Sequence, residues 1–220
     1  MGTILRADAL YRFYHTDGEE ILALRGVSIA VAAGEMVAVA GPSGSGKSTL
    51  LACLAGVDDP DGGTVSIEGT RLSRRPEAER AALRARRIGV LLQSGNLVEH
   101  LSVRDNVLLV QRLAGRVDVA YADALIDRVG LAHRAGHVPS QLSHGEAARA
   151  GFAVALANSP TVLLADEPTG ELDSASERRV LCLLAERAGE GAAVVVVTHS
   201  PRVIAAADRV VGLLDGNVTT

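Results

Sequence analysis

The chain has 220 residues, of which 48% are hydrophobic and only 2% aromatic, and its formal net charge is −4 at pH 7. This length and apolar content suffice for one large domain with an aliphatic core. The mildly acidic balance, without a basic stripe, argues against a nucleic-acid surface as the primary role.

Neither a signal peptide nor an apolar run of roughly 18–20 residues, the length that spans a bilayer, is recognisable in the sequence. We therefore expect a protein that meets a membrane only through a partner. The two cysteines, Cys53 and Cys182, lie in apolar, helix-like stretches. They are predicted to be buried free thiols, as in a reducing cytosol, rather than a disulfide.

Strand-like apolar runs recur along the chain with helical patterns between them. The predicted strands are Val27–Ala32, Met36–Ala40, Thr64–Glu68, Ile88–Leu92, Thr161–Ala165, Ala193–Val197 and Val210–Leu214. The central runs are continuously apolar, as expected for strands buried on both faces of a parallel sheet. The early runs alternate more and indicate an antiparallel lobe. The segment from about Ser94 to Ala157 contains no convincing strand and predicts a helical insertion.

Two further helices have recognisable start signals. Ser102 with Asp105 resembles a capping box before Val107–Leu113. Ser200-Pro201 provides an N-cap and a first-turn proline before Val203–Ala207. Both patterns predict where the chain turns into a helix.

A glycine-rich segment, residues 41–49, lies between a predicted strand and a helix predicted over Ser48–Gly56. Its sequence, GPSGSGKST, matches the pattern G-x-x-x-x-G-K-[ST] in the strand–loop–helix context that a phosphate-binding loop requires. Lys47 is the only lysine among the 22 basic residues of the chain. A compact ammonium fits between two phosphates, whereas the planar guanidinium fork of an arginine does not.

The loop predicts how a nucleoside triphosphate and Mg²⁺ are held. Backbone N–H groups and the helix N-terminus hold the β- and γ-phosphates, and Lys47 neutralises them. The Ser48 hydroxyl is placed to bind Mg²⁺. The alternative is a glycine-rich turn that binds nothing. The predicted nucleotide-binding residues of the loop are Gly41, Ser43, Gly44, Ser45, Gly46, Lys47, Ser48 and Thr49.

An apolar strand ends in two carboxylates in the stretch Val162-Leu163-Leu164-Ala165-Asp166-Glu167. Alone, an acidic pair after a strand is usually a solvated loop start or a helix cap. In a chain with a phosphate-binding loop, Asp166 is expected to hold the Mg²⁺ shell, directly or through water. Glu167 is expected to polarise the attacking water, which favours a chain competent for hydrolysis.

Several further motifs occur in a fixed order, and together they resemble the nucleotide-binding subunit of an ATP-binding cassette (ABC) transporter. Leu142-Ser143-His144-Gly145-Glu146 resembles the signature sequence of this ATPase family, and Gln93 resembles its Q-loop. Glu171-Leu172-Asp173 resembles its D-loop, and His199 its switch histidine. Tyr14 stands where the family stacks an aromatic ring on adenine. The resemblance covers essentially the whole chain.

The resemblance implies a P-loop NTPase core of the ABC ATPase type, an α/β fold with an N-terminal antiparallel lobe. It implies one domain over residues 1–220 with a helical subdomain over residues 94–157, and ATP and Mg²⁺ as cofactors. It assigns catalysis to Glu167, His199 and Gln93 and the metal to Ser48, Gln93 and Asp166. Outside the loop, it assigns nucleotide contacts to Tyr14, Ser143, Gly145, Glu146 and Asp173. Tyr11 and Phe13 are alternatives to Tyr14 as the stacking ring.

The signature departs from the commonest family form at two positions. His144 replaces a glycine and Glu146 replaces a glutamine. Ser143 and Gly145, to which the resemblance assigns phosphate contact, are retained. A carboxylate near phosphates is unfavourable unless it caps its own helix, and Ser143 with Glu146 has the capping-box pattern. We therefore expect Glu146 to cap its helix, and Arg149 to pack or pair structurally.

The resemblance further implies two copies arranged head to tail, with each ATP between the loop of one copy and Ser143 and Gly145 of the other. ATP closes this dimer and hydrolysis reopens it. The expected partner is an integral-membrane permease that docks near Ser94–Asn106, at the cytoplasmic face of a bacterial plasma membrane. No nucleic-acid partner is expected.

Within the family, the chain looks most similar to the macrolide-export and lipoprotein-release ATPases. Members of that branch export substrates, release lipoproteins or transmit force. A soluble ABC-type ATPase acting on ribosomes or DNA is the main alternative, but such proteins usually join two ATPase domains or carry coiled-coil insertions. A P-loop kinase is a further alternative, although it would lack the motifs at Ser143 and His199.

Overall fold

The computed structural model describes residues 2–16, 19–170 and 172–219, which form two sheets and surrounding helices. The strands are β1 Thr3–Thr16, β2 Glu19–Ala32, β3 Met36–Ala40, β4 Gly62–Ile67, β5 Thr70–Arg71, β6 Ile88–Leu91, β7 Val162–Asp166, β8 Ala193–Val197, β9 Arg209–Leu214 and β10 Asn217–Thr219. The α-helices are α1 Lys47–Leu54, α2 Glu77–Arg87, α3 Val103–Leu113, α4 Val119–Arg128, α5 His144–Ala155, α6 Ser174–Gly189 and α7 Pro201–Ala206.

The larger sheet has the strand order β10-β9-β3-β8-β7-β6, and all its strands except β10 run parallel. Parallel strands have their carboxyl ends at one edge of the sheet, where ligands of such folds bind. The loops that leave this edge begin with the segments near Gly41, Gln93, Glu167, Thr198 and Asp215. The topology therefore brings distant parts of the sequence to one place.

Both faces of the central strands β3, β7 and β8 are buried, as the continuous apolar runs predict. Val37, Val195 and Leu164 belong to the core cluster shared with α1 and the antiparallel lobe. Their neighbours Met36 and Val194 belong to the other cluster, which is shared with α3 to α6. Because side chains alternate across a strand, a strand covered on both sides must be apolar at every position.

The smaller sheet has the order β2-β1-β4-β5 and is antiparallel, which confirms the predicted lobe. Strand β1 was not predicted from the sequence, and of β2 only the last part, Val27–Ala32, was predicted. The reason is local: the pairing of β1 with β2 shifts register four times, and Ala9 has φ 47°. Bulges interrupt the two-residue alternation from which a strand is predicted.

Helix α2 and the strands β5 and β10 were also not predicted from the sequence. Helix α2 has no buried residue, so no apolar periodicity marks it. Surface ion pairs of Glu77 with Arg80 and Arg84 accompany it instead. The strands β5 and β10 have two and three residues, all exposed, and are too short to give a pattern.

Helix boundaries follow their caps. Helix α3 starts four residues before the predicted apolar run, because the Ser102 hydroxyl accepts the N–H of Asp105 at 3.1 Å. Ser200 precedes α7 as predicted, but its hydroxyl donates to Glu177 at 3.0 Å and does not cap.

The stretch between β6 and β7 holds α3, α4, α5 and two short 3₁₀ turns, and its described residues include no strand. The helical insertion is confirmed in this sense, whereas its division into a subdomain at residues 94–157 stays a prediction. Cys53 is a buried free thiol as predicted, but Cys182 is exposed on α6, so that part of the prediction is wrong. Among the described residues, no helix is both long and apolar enough to cross a membrane.

Candidate nucleotide-binding and hydrolytic site

A cleft of about 1110 Å³ opens at the carboxyl edge of the parallel sheet, facing the antiparallel lobe. We call it the nucleotide cleft, after the sequence prediction. Its floor is the glycine-rich loop between β3 and α1. Asp166 and Glu167 border it at the end of β7, His199 at the end of β8 and Tyr14 on β1.

The loop leaves the first turn of α1 open to an anion. The N-cap of α1 is Gly46, with φ 100°, and therefore supplies no capping side chain, and the first turn contains no acidic residue. The first N–H groups of a helix have no partner within it and carry its positive dipole end. A Cβ at Gly41 would collide with the carbonyl oxygen of Leu213, and one at Gly46 with that of Ala23. The loop thus has the glycines that its tight fold requires.

Lys47 is folded back over the loop. Its Nζ donates to the carbonyl oxygens of Gly41 at 2.8 Å and Pro42 at 2.7 Å. The buried hydroxyl of Ser45 has no hydrogen-bond partner within the described part of the chain. An ammonium that rests on carbonyls at the rim of the loop is free to exchange them for phosphate oxygens, so the loop fits a polyphosphate.

Ser48 and Asp166 meet at the side of the loop. The Ser48 hydroxyl donates to Oδ2 of Asp166 at 3.3 Å, although 118 residues separate the two in the sequence. Burial raises the pKa of Asp166. Hydroxyl and carboxylate oxygens are ligands that Mg²⁺ accepts, and Mg²⁺ commonly takes only one or two protein ligands beside phosphates and waters. The pair therefore fits a Mg²⁺ site, and Gln93 lines the same cleft.

Glu167 is held by a fixed set of donors. Its Oε2 accepts from the hydroxyl of Thr198 at 3.2 Å and from the backbone N–H of His199 at 3.3 Å. Its Oε1 lies 2.7 Å from Nδ1 of His199. The backbone of Glu167 is left-handed, with φ 43°, and its N–H donates to Val197. Strained backbone of this kind concentrates at functional sites.

The two members of this pair differ in exposure. The side chain of Glu167 is 15% exposed and that of His199 is 74% exposed. The carboxylate is therefore oriented by its surroundings, while the imidazole is accessible from solvent. An oriented carboxylate beside a phosphate site can accept the proton of a water, and an exposed imidazole can contact a bound phosphate.

The structure separates the three aromatic candidates on β1. Tyr14 lines the nucleotide cleft. The ring of Tyr11 instead packs against Gly26 and Gly62. Of the described residues that line the cleft, none is Tyr11 or Phe13. The position of Tyr14 favours it as the stacking ring, and its role stays a prediction.

The signature segment lies at the N-terminus of α5, outside the nucleotide cleft of its own chain. Ser143 and Glu146 form the predicted capping box: the Ser143 hydroxyl accepts the Glu146 N–H at 3.3 Å, and Glu146 Oε2 accepts the Ser143 N–H at 2.8 Å. Arg134 donates to the other oxygen of Glu146 at 3.0 Å. The backbone N–H of Ser143 and then Arg134 lower the pKa of Glu146 to about 2. Glu146 thus caps its own helix, as expected.

Two neighbours complete the signature segment. Arg149 is buried and donates through Nε to the carbonyl of Val129 at 3.0 Å, which confirms a structural role. His144, the first residue of α5, lines a second, smaller hollow of about 380 Å³, which we call the side groove. Gln93 and Glu167 line both the side groove and the nucleotide cleft.

Asp173 caps helix α6, a role that was not predicted from the sequence. It is the N-cap of α6 and accepts from the N–H groups of Ala175 at 2.8 Å and Ser176 at 3.1 Å, and from the Ser176 hydroxyl at 2.8 Å. These bonds lower its pKa. Ser176 packs on Gly145 so closely that a Cβ there would collide with it. Glu171 lies outside the described residues.

Some cleft residues were not predicted at all. They are Ile21, Leu22, Ala23, Arg25, Pro42, Asp215, Gly216 and Asn217. The position of Asp215 could have been predicted, because it directly follows the last predicted strand. That strand, β9, runs parallel to β3. Its carboxyl end must then lie at the same edge as the loop.

The fold and these groups define a P-loop ATPase core: an open phosphate loop, an oxygen pair for Mg²⁺ and an oriented carboxylate on one parallel sheet edge. The family model described as "ABC transporter" matches residues 24–170 of this chain. The chain belongs to the ABC transporter family, and it is an ATPase with ATP and Mg²⁺ as cofactors. The predicted fold class is confirmed.

Several relatives are similar over nearly the whole chain. The lipoprotein-releasing system ATP-binding protein LolD of Maricaulis maris is 40% identical over 220 residues, which cover 98% of this chain and 96% of the relative. LolD 1 of Rhodopirellula baltica is 44% identical, with 90% and 88% covered. The macrolide export ATP-binding/permease protein MacB of Chlorobium luteolum is 41% identical and covers 96% of this chain, which spans only 32% of that longer protein.

Solved structures of ABC transporter cassettes are also similar to this chain. The dimeric bacterial ABC transporter cassette MJ0796 is 34% identical, covers 99% of this chain and 97% of its own, and superposes with a TM-score of 0.92. Its post-hydrolysis dimer bound to ADP and phosphate has 33% identity and the same TM-score. These dimers are the state that the sequence analysis expected for two copies of this chain.

Proposed function

We propose that this chain is the ATP-hydrolysing subunit of a membrane transporter of the lipoprotein-release and macrolide-export branch. Two copies close head to tail on two ATP molecules, and their opening and closing drives an integral-membrane permease. The carrying observation is the distribution of groups in one chain: the nucleotide cleft holds the loop and the carboxylates, whereas Ser143 and Gly145 lie outside it. A second copy would supply them.

Binding in one cleft uses groups that are already in place. Tyr14 stacks on the base, and the N–H groups of the loop and the first turn of α1 hold the phosphates. Lys47 exchanges its two loop carbonyls for phosphate oxygens. Ser48 and Asp166 would hold Mg²⁺, together with Gln93. When bound, Mg²⁺ neutralises charge on the phosphates and orients the terminal one.

Hydrolysis uses the oriented carboxylate. Glu167 accepts the proton of the attacking water, and the donors from Thr198 and His199 hold it in the orientation that this requires. The exposed ring of His199 reaches the terminal phosphate. Ser143 and Gly145 of the second copy close over the same phosphate and exclude bulk water. The reaction therefore waits for the dimer.

The permease docks at the side groove beside the segment Ser94–Asn106. Two side chains support this position, because Gln93 and Glu167 line the groove and the nucleotide cleft at once. A single side chain, Gln93 or Glu167, can therefore contact both the bound nucleotide and the docked permease. We place the ATPase at the cytoplasmic face of the membrane, held there by the permease. The relatives reported above are named for a lipoprotein-releasing system and for macrolide export with a permease, which does not favour the ribosome or DNA alternative.

The decisive experiment is Glu167→Gln in the full chain. We expect ATP binding to persist and phosphate release to fall by about 10²–10⁴-fold, which is the usual contribution of a general base. Light scattering should then show an ATP-dependent dimer that accumulates. The matched control is Glu186→Gln on the exposed surface of α6, which should hydrolyse ATP normally. Wild-type turnover in Glu167→Gln contradicts the role of Glu167, and a purely monomeric variant at saturating ATP and Mg²⁺ contradicts the composite site.

A further inference from the structure

The ring of Tyr14 is held by two charged residues, Arg12 and Asp58, which we call the clamp. Arg12 donates through Nε and Nη2 to the two oxygens of Asp58, at 2.8 and 2.9 Å. The Tyr14 hydroxyl donates to the same carboxylate at 3.0 Å. The guanidinium carbon of Arg12 lies 4.8 Å from the centroid of the Tyr14 ring. A bidentate ion pair and a cation–π contact thus act on one ring.

The clamp ties β1 to the helix that holds the phosphates. Asp58 lies just beyond the C-terminal end of α1, and its N–H donates to the carbonyl of Ala52 at 3.2 Å. A carboxylate near the negative end of a helix is unfavourable, and the positive charge of Arg12 offsets that effect. Helix α1 begins at Lys47 and its eight residues span about 12 Å. The clamp and the phosphate loop therefore lie at opposite ends of helix α1.

A second carboxylate fixes the strand itself. Asp61 accepts from Nη1 of Arg12 at 3.0 Å and from the backbone N–H of Phe13 at 2.8 Å. The N–H of Asp61 donates in return to the carbonyl of Tyr11 at 2.9 Å. The side chain of Arg12 is only 21% exposed, so water screens these pairs less than it screens a surface pair. Little freedom remains for this part of β1.

We propose that Arg12 and Asp58 are positioning residues for the nucleotide base. They hold the Tyr14 ring at a fixed distance from the phosphate loop, so that base and phosphates engage at the same time. Arg12 covers one face of the ring and leaves the other for the base. A ring that is already ordered loses less conformational entropy on binding. This inference rests on the proposed role of Tyr14 as the stacking ring.

The test compares two ligands that differ in the base. Dissociation constants are measured with Mg²⁺ for ATP and for inorganic tripolyphosphate, which has no base. Tyr14→Ala should weaken ATP binding about tenfold, a usual value for one base–aromatic stack, and leave tripolyphosphate binding unchanged. Arg12→Ala should weaken ATP binding about fivefold, again without a change for tripolyphosphate. The control is Arg6→Ala on the same strand, where Arg6 pairs with Asp8 in solvent, and both affinities should be retained.

Two milder variants and one double variant complete the test. Tyr14→Phe keeps the ring but loses the bond to Asp58, and it should weaken ATP binding about threefold. Arg12→Lys keeps a cation but loses the bidentate fork, so its ATP affinity should lie between those of wild type and Arg12→Ala. In the Tyr14→Ala background, Arg12→Ala should have no further effect on ATP, because Arg12 acts through the ring.

The possible outcomes are distinct. If Tyr14→Ala leaves the ratio of the two dissociation constants unchanged, the stacking role of Tyr14 is wrong and the clamp fails with it. If Tyr14→Ala acts as expected but Arg12→Ala weakens both ligands equally, Arg12 only supports the fold. Full additivity of Arg12→Ala and Tyr14→Ala also overturns the inference. If Arg12→Ala does not fold, Tyr14→Phe decides, and an unchanged ATP affinity in that variant contradicts the clamp.

Discussion

Two helix N-termini serve the proposed site, and they are completed in opposite ways. Helix α1 begins after Gly46, without a capping side chain and without an acidic residue in its first turn. Helix α5 begins after Ser143, with a full capping box and with Glu146 held by Arg134. The N-terminus of α1 is an open anion site. At the N-terminus of α5, the N–H of Glu146 already donates to the Ser143 hydroxyl.

The difference indicates an order of events. An uncapped N-terminus with Lys47 beside it attracts phosphates by itself. A capped N-terminus that carries a carboxylate attracts them less. One chain should therefore bind ATP before two chains associate. The variants below act on one terminus or the other.

The largest effect is expected at α1. Lys47→Ala removes the ammonium, and we expect ATP affinity to fall about a hundredfold, since hydrogen bonds to charged groups are the strong ones. Lys47→Arg should fail to restore it, because the guanidinium fork does not fit the loop. Calorimetric titration with ATP and Mg²⁺ measures both. Unchanged affinity in Lys47→Ala would exclude the loop as the phosphate site.

The next effect is expected at α5. Ser143→Ala should leave the ATP affinity of the monomer unchanged and weaken ATP-driven dimerisation about tenfold, measured by light scattering on the Glu167→Gln background. It also removes a helix cap, which costs about 1 kcal/mol of stability. Ser102→Ala removes the equivalent cap of α3 and controls for that loss. Equal dimerisation in the two variants would show that Ser143 only caps.

A smaller, pH-dependent effect is expected from Glu146→Gln. The pKa of Glu146 is lowered from 4.5 to about 2 in the folded chain, so its carboxylate stabilises the fold above about pH 4.5. That stability is lost as the pH falls toward 2. The difference in unfolding temperature between wild type and Glu146→Gln should be constant at neutral pH and shrink between pH 4.5 and 2. A difference that does not change with pH would contradict the capping role of the charge.

The smallest effect is expected from His144→Gly, which restores the commonest family residue. His144 lines the side groove and not the nucleotide cleft. Ser143 and Gly145, the two residues proposed to contact phosphate, are unchanged in this variant. Steady-state phosphate release should therefore stay within about twofold of wild type or rise. Loss of hydrolysis would give His144 a catalytic role that its position does not suggest.

The elements that the sequence predicted well are those whose signal is local. The capping box of α5 and the glycine-rich segment around Lys47, residues 41–49, each lie within about ten residues, and their hydrogen bonds join neighbours in the chain. Strand β1 was missed because its bulges break the alternation, and α2 because ion pairs rather than buried side chains accompany it. Strands and helices are predicted from the periodicity of their apolar residues, and both β1 and α2 lack a regular apolar period.

The sequence by itself determined the chemistry of this protein. Binding a phosphate requires consecutive backbone N–H groups and a neighbouring cation, and these must be contiguous to work, so the segment Gly41–Thr49 could be recognised alone. Only the tertiary structure decided that Tyr14, rather than Tyr11 or Phe13, lines the cleft, because the register shifts of β1 set which face each ring takes. It also decided that Arg12 meets a carboxylate 46 residues away, a contact that no local pattern encodes.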